Sequence, residues 1–234
     1  MNILEESFTI NFERHLIKGD VFRPEKCATT LVMLHGAGMG TRDRYRDFRT
    51  RLAQRSLGSV AFDFVGFGET GGDVGESSLQ SRTEQACAVI KALGLNPPLR
   101  LFGASMGGYT AVKLLEFYPV ESAILFVPAM YDIAAYSVPF GEEFSKIIRK
   151  PESWVASDAW KILQKFRGRL LVVAAGQDNI IPHDVIRRIA EAAANTAERE
   201  IYTVRQSPHL LIHYLSQDER ECGQVVELVQ HYLT

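Results

Sequence analysis

The chain has 234 residues, of which 46% are hydrophobic and 23% charged, and its formal net charge is −2. This length fits one α/β domain, residues 1–234, with a core large enough to need no disulfide or metal for stability. The near-neutral charge indicates neither a nucleic-acid partner nor binding to an anionic membrane surface, and no stretch approaches the roughly 18 apolar residues of a membrane span.

The N-terminal segment and the cysteines predict a cytoplasmic location. The first residues, MNILEESFTINFER, are acidic where a signal peptide would be basic, and they contain no apolar core run. Cys27, Cys87 and Cys222 are an odd number without paired spacing, and each lies in or beside an apolar segment. We therefore expect buried free thiols, which are typical of a reducing compartment.

Strand patterns recur along the chain and predict one sheet. Residues 8–12 and 16–22 alternate apolar and polar side chains, which is typical of an antiparallel pair at a sheet edge. The later predicted strands, most of them continuously apolar as expected for strands covered on both faces, are residues 31–34, 60–62, 99–102, 123–127, 170–174 and 200–204.

Helical patterns separate these strands. Five helices are predicted from apolar spacing and capping residues. The first follows Thr41, and the second is capped by Ser77 or Ser78, runs through Leu93 and is terminated by Gly94. The others run from Tyr109 to Tyr118, from Pro182 onwards, and from Asp218 to Leu233. Residues 129–167 interrupt the alternation and predict two or three short helices, for instance 142–149 and 158–164. Alternation of strand and helix predicts a mostly parallel sheet with helices on both faces, whose chemistry lies at the carboxyl ends of the strands.

Residues 103–107, Gly-Ala-Ser-Met-Gly, join the predicted strand at 99–102 to the next helix. A serine between two glycines at such a turn is the nucleophile-elbow pattern. The serine backbone is strained in this turn, and side chains two residues to either side would collide, so Gly103 and Gly107 are required. The pentapeptide alone is a weak signal, because an ordinary tight turn with small residues has the same composition.

Two residues at later strand ends supply what Ser105 needs as a nucleophile. A hydroxyl is a poor nucleophile at neutral pH, and His209, just past the last strand, can accept its proton. Asp178, just past the preceding strand, can fix the imidazole tautomer and stabilise the imidazolium. The backbone N–H groups of Met106 and Ala37 can stabilise the developing oxyanion. The sequence therefore predicts an acyl-transfer site at this edge of the sheet.

Alternatives exist for both partners of the serine. Asp178 can instead cap the helix that follows it, and Asp132, beyond the strand at 123–127, is the rival acid. His213 lies four residues after His209 and is the rival base. The loop position of His209 and the chain order Ser, Asp, His favour His209.

Other polar residues have simpler interpretations. We expect His35 to be a hydrogen-bonded support for the turn that carries Ala37, and Asp63 to fix the loop after its strand. No His, Cys or Asp cluster has metal-ligand spacing, and GFGETGG at 66–72 lacks the lysine of a phosphate loop. A solvated helix face is the favoured explanation of six arginines, and an anion-recognising patch near the pocket mouth is the alternative; they are Arg42, Arg44, Arg46, Arg49, Arg51 and Arg55.

With these residues in place, the chain resembles the α/β-hydrolase-fold serine hydrolases. The resemblance extends from Leu31 to the C-terminus and rests on five motifs in order: HGAG at 35–38, DFVGFGET at 63–70, GASMGG at 103–108, GQDNIIP at 176–182 and SPHLL at 207–211. It implies the α/β-hydrolase fold with a mostly parallel eight-stranded sheet, a Ser105–His209–Asp178 triad, an Ala37/Met106 oxyanion hole and no cofactor. It also implies a small helical lid inserted at about 129–167, after the sixth strand.

The predicted lid is rich in aromatic residues. A lid over the elbow serine would determine selectivity for the substrate, and rings there would favour an apolar or aromatic substrate group; the candidates are Tyr131, Tyr136, Phe140, Trp154 and Trp160. The alternative is that these rings simply pack on the core.

The sequence thus predicts a carboxylic-ester hydrolase (EC 3.1.1) that acts on a small molecule through a covalent acyl-enzyme, as a monomer or homodimer. The same triad serves thioesters, amides or peptides, and carbon–carbon bonds. A non-catalytic ligand-binding or partner-binding member of the fold is the alternative of another class, although every triad position is occupied here.

Overall fold

The computed structural model describes residues 2–27 and 29–234. Its strands are β1 Ile3–Phe12, β2 His15–Pro24, β3 Thr29–Leu34, β4 Leu57–Phe62, β5 Leu99–Ala104, β6 Val120–Phe126, β7 Arg169–Ala175 and β8 Glu198–Val204. They form one eight-stranded sheet in the order β1-β2-β4-β3-β5-β6-β7-β8. The two pairings that involve β2 are antiparallel and the others are parallel, which confirms the predicted sheet with its antiparallel edge.

Helices cover both faces of the sheet. They are α1 Arg46–Gln54, α2 Leu79–Ala92, α3 Met106–Leu114, α4 Glu142–Ile148, α5 Ala159–Lys165, α6 His183–Ala192, α7 Leu211–Gln217 and α8 Glu219–Leu233. Successive strand residues point to opposite faces, so Val32 and Leu34 join a core with α2–α6, while Leu31 and Met33 join a core with α1, α7 and α8. None of the described helices is long and apolar enough to cross a membrane.

Helix ends follow the predicted capping residues only in part. Ser78 accepts a hydrogen bond from the Ser81 amide at 3.0 Å and caps α2, and Gly94 follows its end with a φ of +61°. Thr41 makes no side-chain cap; instead the Asp63 carboxylate accepts from the Arg42 amide at 2.8 Å. A 3-10 turn over Arg42–Tyr45 therefore precedes α1.

Two further boundaries depart from the sequence prediction. Helix α3 begins at Met106 rather than Tyr109, because it starts directly after the strained turn at Ser105. The short α7 was not predicted, because its seven residues follow the His209 loop without an N-cap signal. The expectation of three buried thiols holds for Cys222 alone; Cys87 is half-buried and Cys27 is exposed, and all three are free.

The arginines before and along α1 are not simply a solvated face. The Arg49 side chain is 1% exposed; it pairs with Asp20 and donates to Ser59 Oγ at 2.9 Å. Arg42 is nearly buried and pairs with Asp20 at 2.7 Å, with Asp63 and with Glu69. The solvated-face interpretation is therefore wrong for these two residues, which join β2, the start of α1 and the loop after β4. The structural role expected of Asp63 is confirmed.

Candidate active site

Ser105 lies on the turn between β5 and α3, with φ of 50° and ψ of −118°. This backbone conformation is sparsely populated and persists only where its surroundings enforce it. A Cβ atom at Gly103 would overlap the Gly107 backbone, and one at Gly107 would overlap the Leu34 carbonyl. Phe126 accepts a hydrogen bond from the Ser105 amide at 2.9 Å, which fixes the turn to β6. The glycine positions therefore have the steric role that the sequence predicted.

The structure joins Ser105 to both predicted partners through hydrogen bonds. Ser105 Oγ lies 3.1 Å from His209 Nε2, and His209 Nδ1 lies 2.9 Å from Asp178 Oδ2. The other carboxylate oxygen, Oδ1, accepts hydrogen bonds from the Ile180 and Ile181 amides, each at 2.9 Å. Nδ1–H therefore donates to the carboxylate, which leaves Nε2 free to accept the serine proton.

Asp178 is held in its ionised form. Burial by itself would raise its pKa, but the hydrogen bonds from His209, Ile181 and Ile180 outweigh burial and lower the pKa below its ordinary value. An ionised carboxylate stabilises the imidazolium that forms when the histidine takes the serine proton.

The rival residues lie outside this network. The Asp132 carboxylate accepts from the Ala134 amide at 2.9 Å and caps a short 3-10 turn. His213 is exposed on α7, where its Nε2 faces Gln217 at 3.3 Å. The structure therefore brings Asp178 and His209, rather than Asp132 and His213, to Ser105.

The two residues predicted to supply oxyanion amides lie beside Ser105 and on its cavity. Met106 is the first residue of α3, so its N–H has no partner within the helix and lies at the positive end of the helix dipole. Ala37 lines the same cavity as Ser105, in the bend after β3. The adjoining Gly36 is so close that a Cβ there would lie 3.2 Å from the Ser105 Cβ.

His35 supports the bend that carries Ala37. Its Nδ1–H donates to the Gly36 carbonyl at 2.7 Å, and its Nε2 accepts from the Phe64 amide at 3.1 Å. Burial, together with the positive charge of Arg82, lowers the pKa of His35 well below its ordinary value near 6.5. The ring is therefore neutral at neutral pH, and the supporting role predicted from the sequence agrees with its contacts.

A buried arginine completes this support, and sequence analysis missed it. Arg82 on α2 is fully buried, and its guanidinium donates a hydrogen bond to the His35 carbonyl. The guanidinium carbon lies 3.7 Å from the centroid of the Phe64 ring, a cation–π contact that offsets part of its desolvation. Its Nε and Nη1 atoms have no hydrogen-bond partner in the described part of the chain. A polar residue in a helical pattern gives no signal of such burial.

A cavity of about 210 Å³ opens at the nucleophile. Ser105 and His209 line it together with apolar side chains from β6, from the turn after β3 and from the start of α7; these are Met39, Phe126, Val127, Leu210, Leu211 and Ile212. Tyr45 also lines the cavity, and burial raises the pKa of its hydroxyl group to about 12, so this group stays protonated. The remaining polar side chains of the lining are Arg44 and His213.

The aromatic residues predicted to wall this cavity do not line it. Edge-on contacts join Tyr131 and Tyr136 to Tyr109, with centroids 5.6 and 6.2 Å apart. Phe140 packs on Phe144 at 4.9 Å, and Trp154 on Trp160 at 6.1 Å.

The reason is the face of the sheet on which these rings pack. All five candidates, Tyr131, Tyr136, Phe140, Trp154 and Trp160, belong to the core with α2–α6. The buried cavity walls Tyr45, Phe126, Val127 and Leu211 belong to the opposite core, with α1, α7 and α8. These rings therefore do not line the cavity at Ser105, and their contacts fit the alternative that they pack on the core.

Within 2–27 and 29–234, no group of three or more His, Cys, Asp or Glu side chains is placed to bind a metal ion.

Comparisons with known proteins agree with this geometry. The sequence profile of the Hydrolase_4 family, described as serine aminopeptidase, S33, matches residues 25–157. No curated protein matches the chain. Among solved structures, an esterase from Exiguobacterium antarcticum has 19% identity and a TM-score of 0.72, covering 96% of this chain and 100% of that one.

Two other solved structures are similar over nearly the full length. A Pyrococcus furiosus esterase has 17% identity and a TM-score of 0.73, covering 99% of this chain and 94% of that one. The thioesterase domain from the curacin biosynthetic pathway has 14% identity and a TM-score of 0.70, covering 97% and 99%. At these identities, the likeness shows a shared fold.

Proposed function

Because the chain belongs to the Hydrolase_4 family of α/β-hydrolase-fold serine hydrolases (serine aminopeptidase, S33), we propose that it cleaves a carboxylic ester through an acyl-enzyme at Ser105. The observation that carries the proposal is the continuous hydrogen-bond chain from Ser105 Oγ through His209 to Asp178. Nucleophile, base and orienting acid are each within hydrogen-bond distance of the next, as acyl transfer requires.

In the acylation step, Ser105 Oγ attacks the ester carbonyl as His209 Nε2 takes the hydroxyl proton. The Met106 and Ala37 amides donate to the oxyanion, whose negative charge exceeds that of the ground-state carbonyl, so the transition state gains more than the substrate does. Protonated His209 then gives its proton to the leaving alkoxide, and the acyl group remains on the serine.

In the second step, a water molecule replaces the alcohol. His209 removes its proton, and the resulting hydroxide attacks the acyl carbonyl within the same oxyanion hole. Collapse of the tetrahedral intermediate returns the proton to Ser105 and releases the carboxylic acid.

The charge of the cavity favours an ester over the amino-terminal peptide bond in the family description. An aminopeptidase has to bind the α-ammonium group of its substrate, which needs carboxylates or other acceptors. In the described lining, the formally charged side chain is the guanidinium of Arg44, and no carboxylate contributes. A cation would be repelled there.

Among neutral substrates, the size of the cavity at the serine favours a short acyl group. Its volume of about 210 Å³ is below the roughly 300–1,000 Å³ typical of sites for drug-sized ligands. A thioester is the second candidate, because the chain shares its fold with the thioesterase domain from the curacin biosynthetic pathway and its mechanism would be the same.

Turnover of matched acetyl, butyryl and octanoyl 4-nitrophenyl esters, the corresponding thioesters, and leucine 4-nitroanilide tests the proposal. We expect the short esters to have the highest kcat/KM, the anilide the lowest, and Ser105→Ala to lose at least about 10³-fold on every substrate. Faster turnover of the anilide than of the esters, or an unaffected Ser105→Ala variant, would refute it.

A further inference from the structure

The cavity at Ser105 continues along the surface between α1 and α7. A second depression of about 720 Å³ shares five lining residues with it: Met39, Arg44, Leu210, Ile212 and His213. The second depression extends to Cys222 at the start of α8. We call the two together the cleft. Because its parts share a wall, a substrate whose ester group reaches Ser105 has room to extend past these five residues.

Arg44 stands at this shared wall without an acidic partner. Five of the six arginines between 42 and 55 lie within 4.0 Å of an Asp or Glu oxygen. Arg44 has no such partner in the part of the chain that the structure describes, and it is exposed. Its charge is therefore available to a ligand.

The other charged groups of the cleft leave Arg44 as its available positive charge. In the outer depression, Arg51 is held by both carboxylate oxygens of Glu219 at 2.6 Å, and Asp47 contributes a negative charge. In the inner cavity, Arg44 has no opposing carboxylate. An anion is thus favoured at the junction of the two parts rather than at the outer end.

His213 can assist from α7. Its Nε2 faces the Gln217 amide group, so Nδ1 can carry the ring proton and act as a donor, and the residue lines both parts of the cleft. Met39 is 73% exposed and Leu210 is 51% exposed, and both contribute apolar surface to the two parts of the cleft. The cleft thus combines apolar surface with a cationic group.

We propose that the substrate is an ester with an anionic group, a carboxylate or a phosphate, remote from the scissile bond and bound by Arg44. This inference rests on the proposed ester hydrolysis and adds the chemical class of the substrate. Arg44 discriminates by charge, whereas the apolar residues of the cleft pack against the uncharged part of the substrate.

Kinetics on matched esters test this specificity. The 4-nitrophenyl monoesters of glutaric, adipic and pimelic acids carry a free carboxylate, and their methyl-capped counterparts are neutral. The pair of 4-acetoxyphenyl phosphate and 4-methoxyphenyl acetate separates phosphate from carboxylate and places the anion on the alcohol side. At low salt, we expect kcat/KM to favour the anionic member of at least one pair by about two- to fivefold, the range of an ion pair open to solvent.

Variants separate Arg44 from a general effect of net charge. Arg44→Gln abolishes the preference, Arg44→Glu reverses it, and Arg44→Lys retains part of it. Arg149→Gln is the matched control, because Arg149 is also exposed but lies at the end of α4 and lines neither part of the cleft; it keeps the wild-type preference. Added salt weakens the preference by screening.

Two results would overturn the inference, and they have different meanings. Neutral and anionic esters turned over equally well by the wild type, or an equal loss of preference in Arg149→Gln, would contradict the role of Arg44 while leaving ester hydrolysis intact. No turnover of any ester by the wild type would instead contradict the proposed function, and this inference would fall with it.

Discussion

At the scale of single residues, Asp178 shows how contacts decide the state of a buried group. Burial favours the neutral acid, whereas three hydrogen bonds favour the carboxylate, and the carboxylate prevails. The two backbone amides occupy one oxygen, so the other is directed at His209. Because one oxygen is held by backbone amides and the other accepts from His209 Nδ1, the imidazole is fixed in the tautomer that catalysis needs.

Replacing Asp178 therefore has a specific expected effect. Asp178→Asn presents an amide where the imidazole needs an acceptor, which favours the wrong tautomer, and we expect kcat on a 4-nitrophenyl ester to fall about 10³- to 10⁴-fold. Asp132→Asn is the control, because Asp132 caps only a surface turn, and it should change kcat less than about twofold. The reverse order of effects would assign the acid to Asp132.

His35 links the same bend to the pH dependence of stability. Its pKa is lowered in the folded state by burial and by Arg82, so the unfolded chain binds a proton that the folded chain does not. The free energy of unfolding should therefore decrease as pH falls below about 6.5, with a contribution of up to about 1.4 kcal/mol per pH unit until the folded-state pKa is reached.

Urea denaturation between pH 7.5 and 5 measures this contribution. His35→Gln keeps a donor and an acceptor but cannot take up a proton, so we expect a shallower pH dependence than in the wild type. His213→Gln removes an exposed histidine and serves as the control. An unchanged slope in His35→Gln would show that another group is responsible.

The triad and the supporting role of His35 were predictable from the sequence, whereas the positions of two arginines were not. Ser105, Asp178 and His209 each lie in a short motif at a strand end, so local pattern and chain order identify them. Arg82 and Arg44 lie in polar helical patterns, and only tertiary packing shows that one is buried beneath His35 and the other faces the cleft. Burial of a charged side chain depends on partners distant in sequence.

At the scale of elements, the elbow is a close approach between β3, β5 and α3. Gly107 lies so near the Leu34 carbonyl that no Cβ fits, and the neighbouring Ser105 amide is bonded to β6. The strained serine is thus held by backbone contacts on two sides.

A glycine pair tests this close approach. Gly107→Ala forces a Cβ into backbone, which cannot move as a side chain can, and we expect the free energy of unfolding to fall by about 2 kcal/mol or more. Gly223→Ala, in α8 with no atom near its Cβ position, should increase it by about 0.5–1 kcal/mol through helix propensity. Thermal and urea denaturation give both values, and a neutral Gly107→Ala would contradict the packing described.

Element boundaries were predictable where a local cap defines them. Ser78 and Gly94 limit α2 as the sequence indicates. Thr41 does not cap its helix, because Asp63, 22 residues away, accepts the Arg42 amide instead. The ion pairs of Arg42 and Arg49 with Asp20 also join residues that are distant in sequence. Hydrophobic periodicity cannot reveal such pairs.

At the scale of the whole molecule, the two faces of the sheet contribute differently to the structure and to the cavity. The core with α2–α6 contains the aromatic insertion, whereas the core with α1, α7 and α8 provides the buried walls of the cavity. The alternation of strands and helices predicted the sheet. It did not predict the face on which the insertion packs, since that depends on contacts such as Tyr109 with Tyr131 and Tyr136.

This separation predicts which substitutions change substrate selectivity. Phe140→Leu trims a ring in the insertion core and should lower stability by about 1 kcal/mol while leaving the relative kcat/KM for acetyl, butyryl and octanoyl esters unchanged. Leu210→Trp adds bulk to a shared cleft wall and should shift the preference among acyl lengths. If the relative kcat/KM for the three acyl lengths changed in Phe140→Leu but not in Leu210→Trp, the insertion rather than the cleft would determine substrate selectivity.

The central claim is that Ser105 carries the acyl group between the two half-reactions. Rapid acid quenching of the protein with excess 4-nitrophenyl butyrate, followed by peptide mass spectrometry, detects that group directly. We predict one butyryl adduct, on the peptide that contains Ser105, and none there in Ser105→Ala. A butyryl group bound catalytically at another residue, or full turnover by Ser105→Ala, would contradict the mechanism.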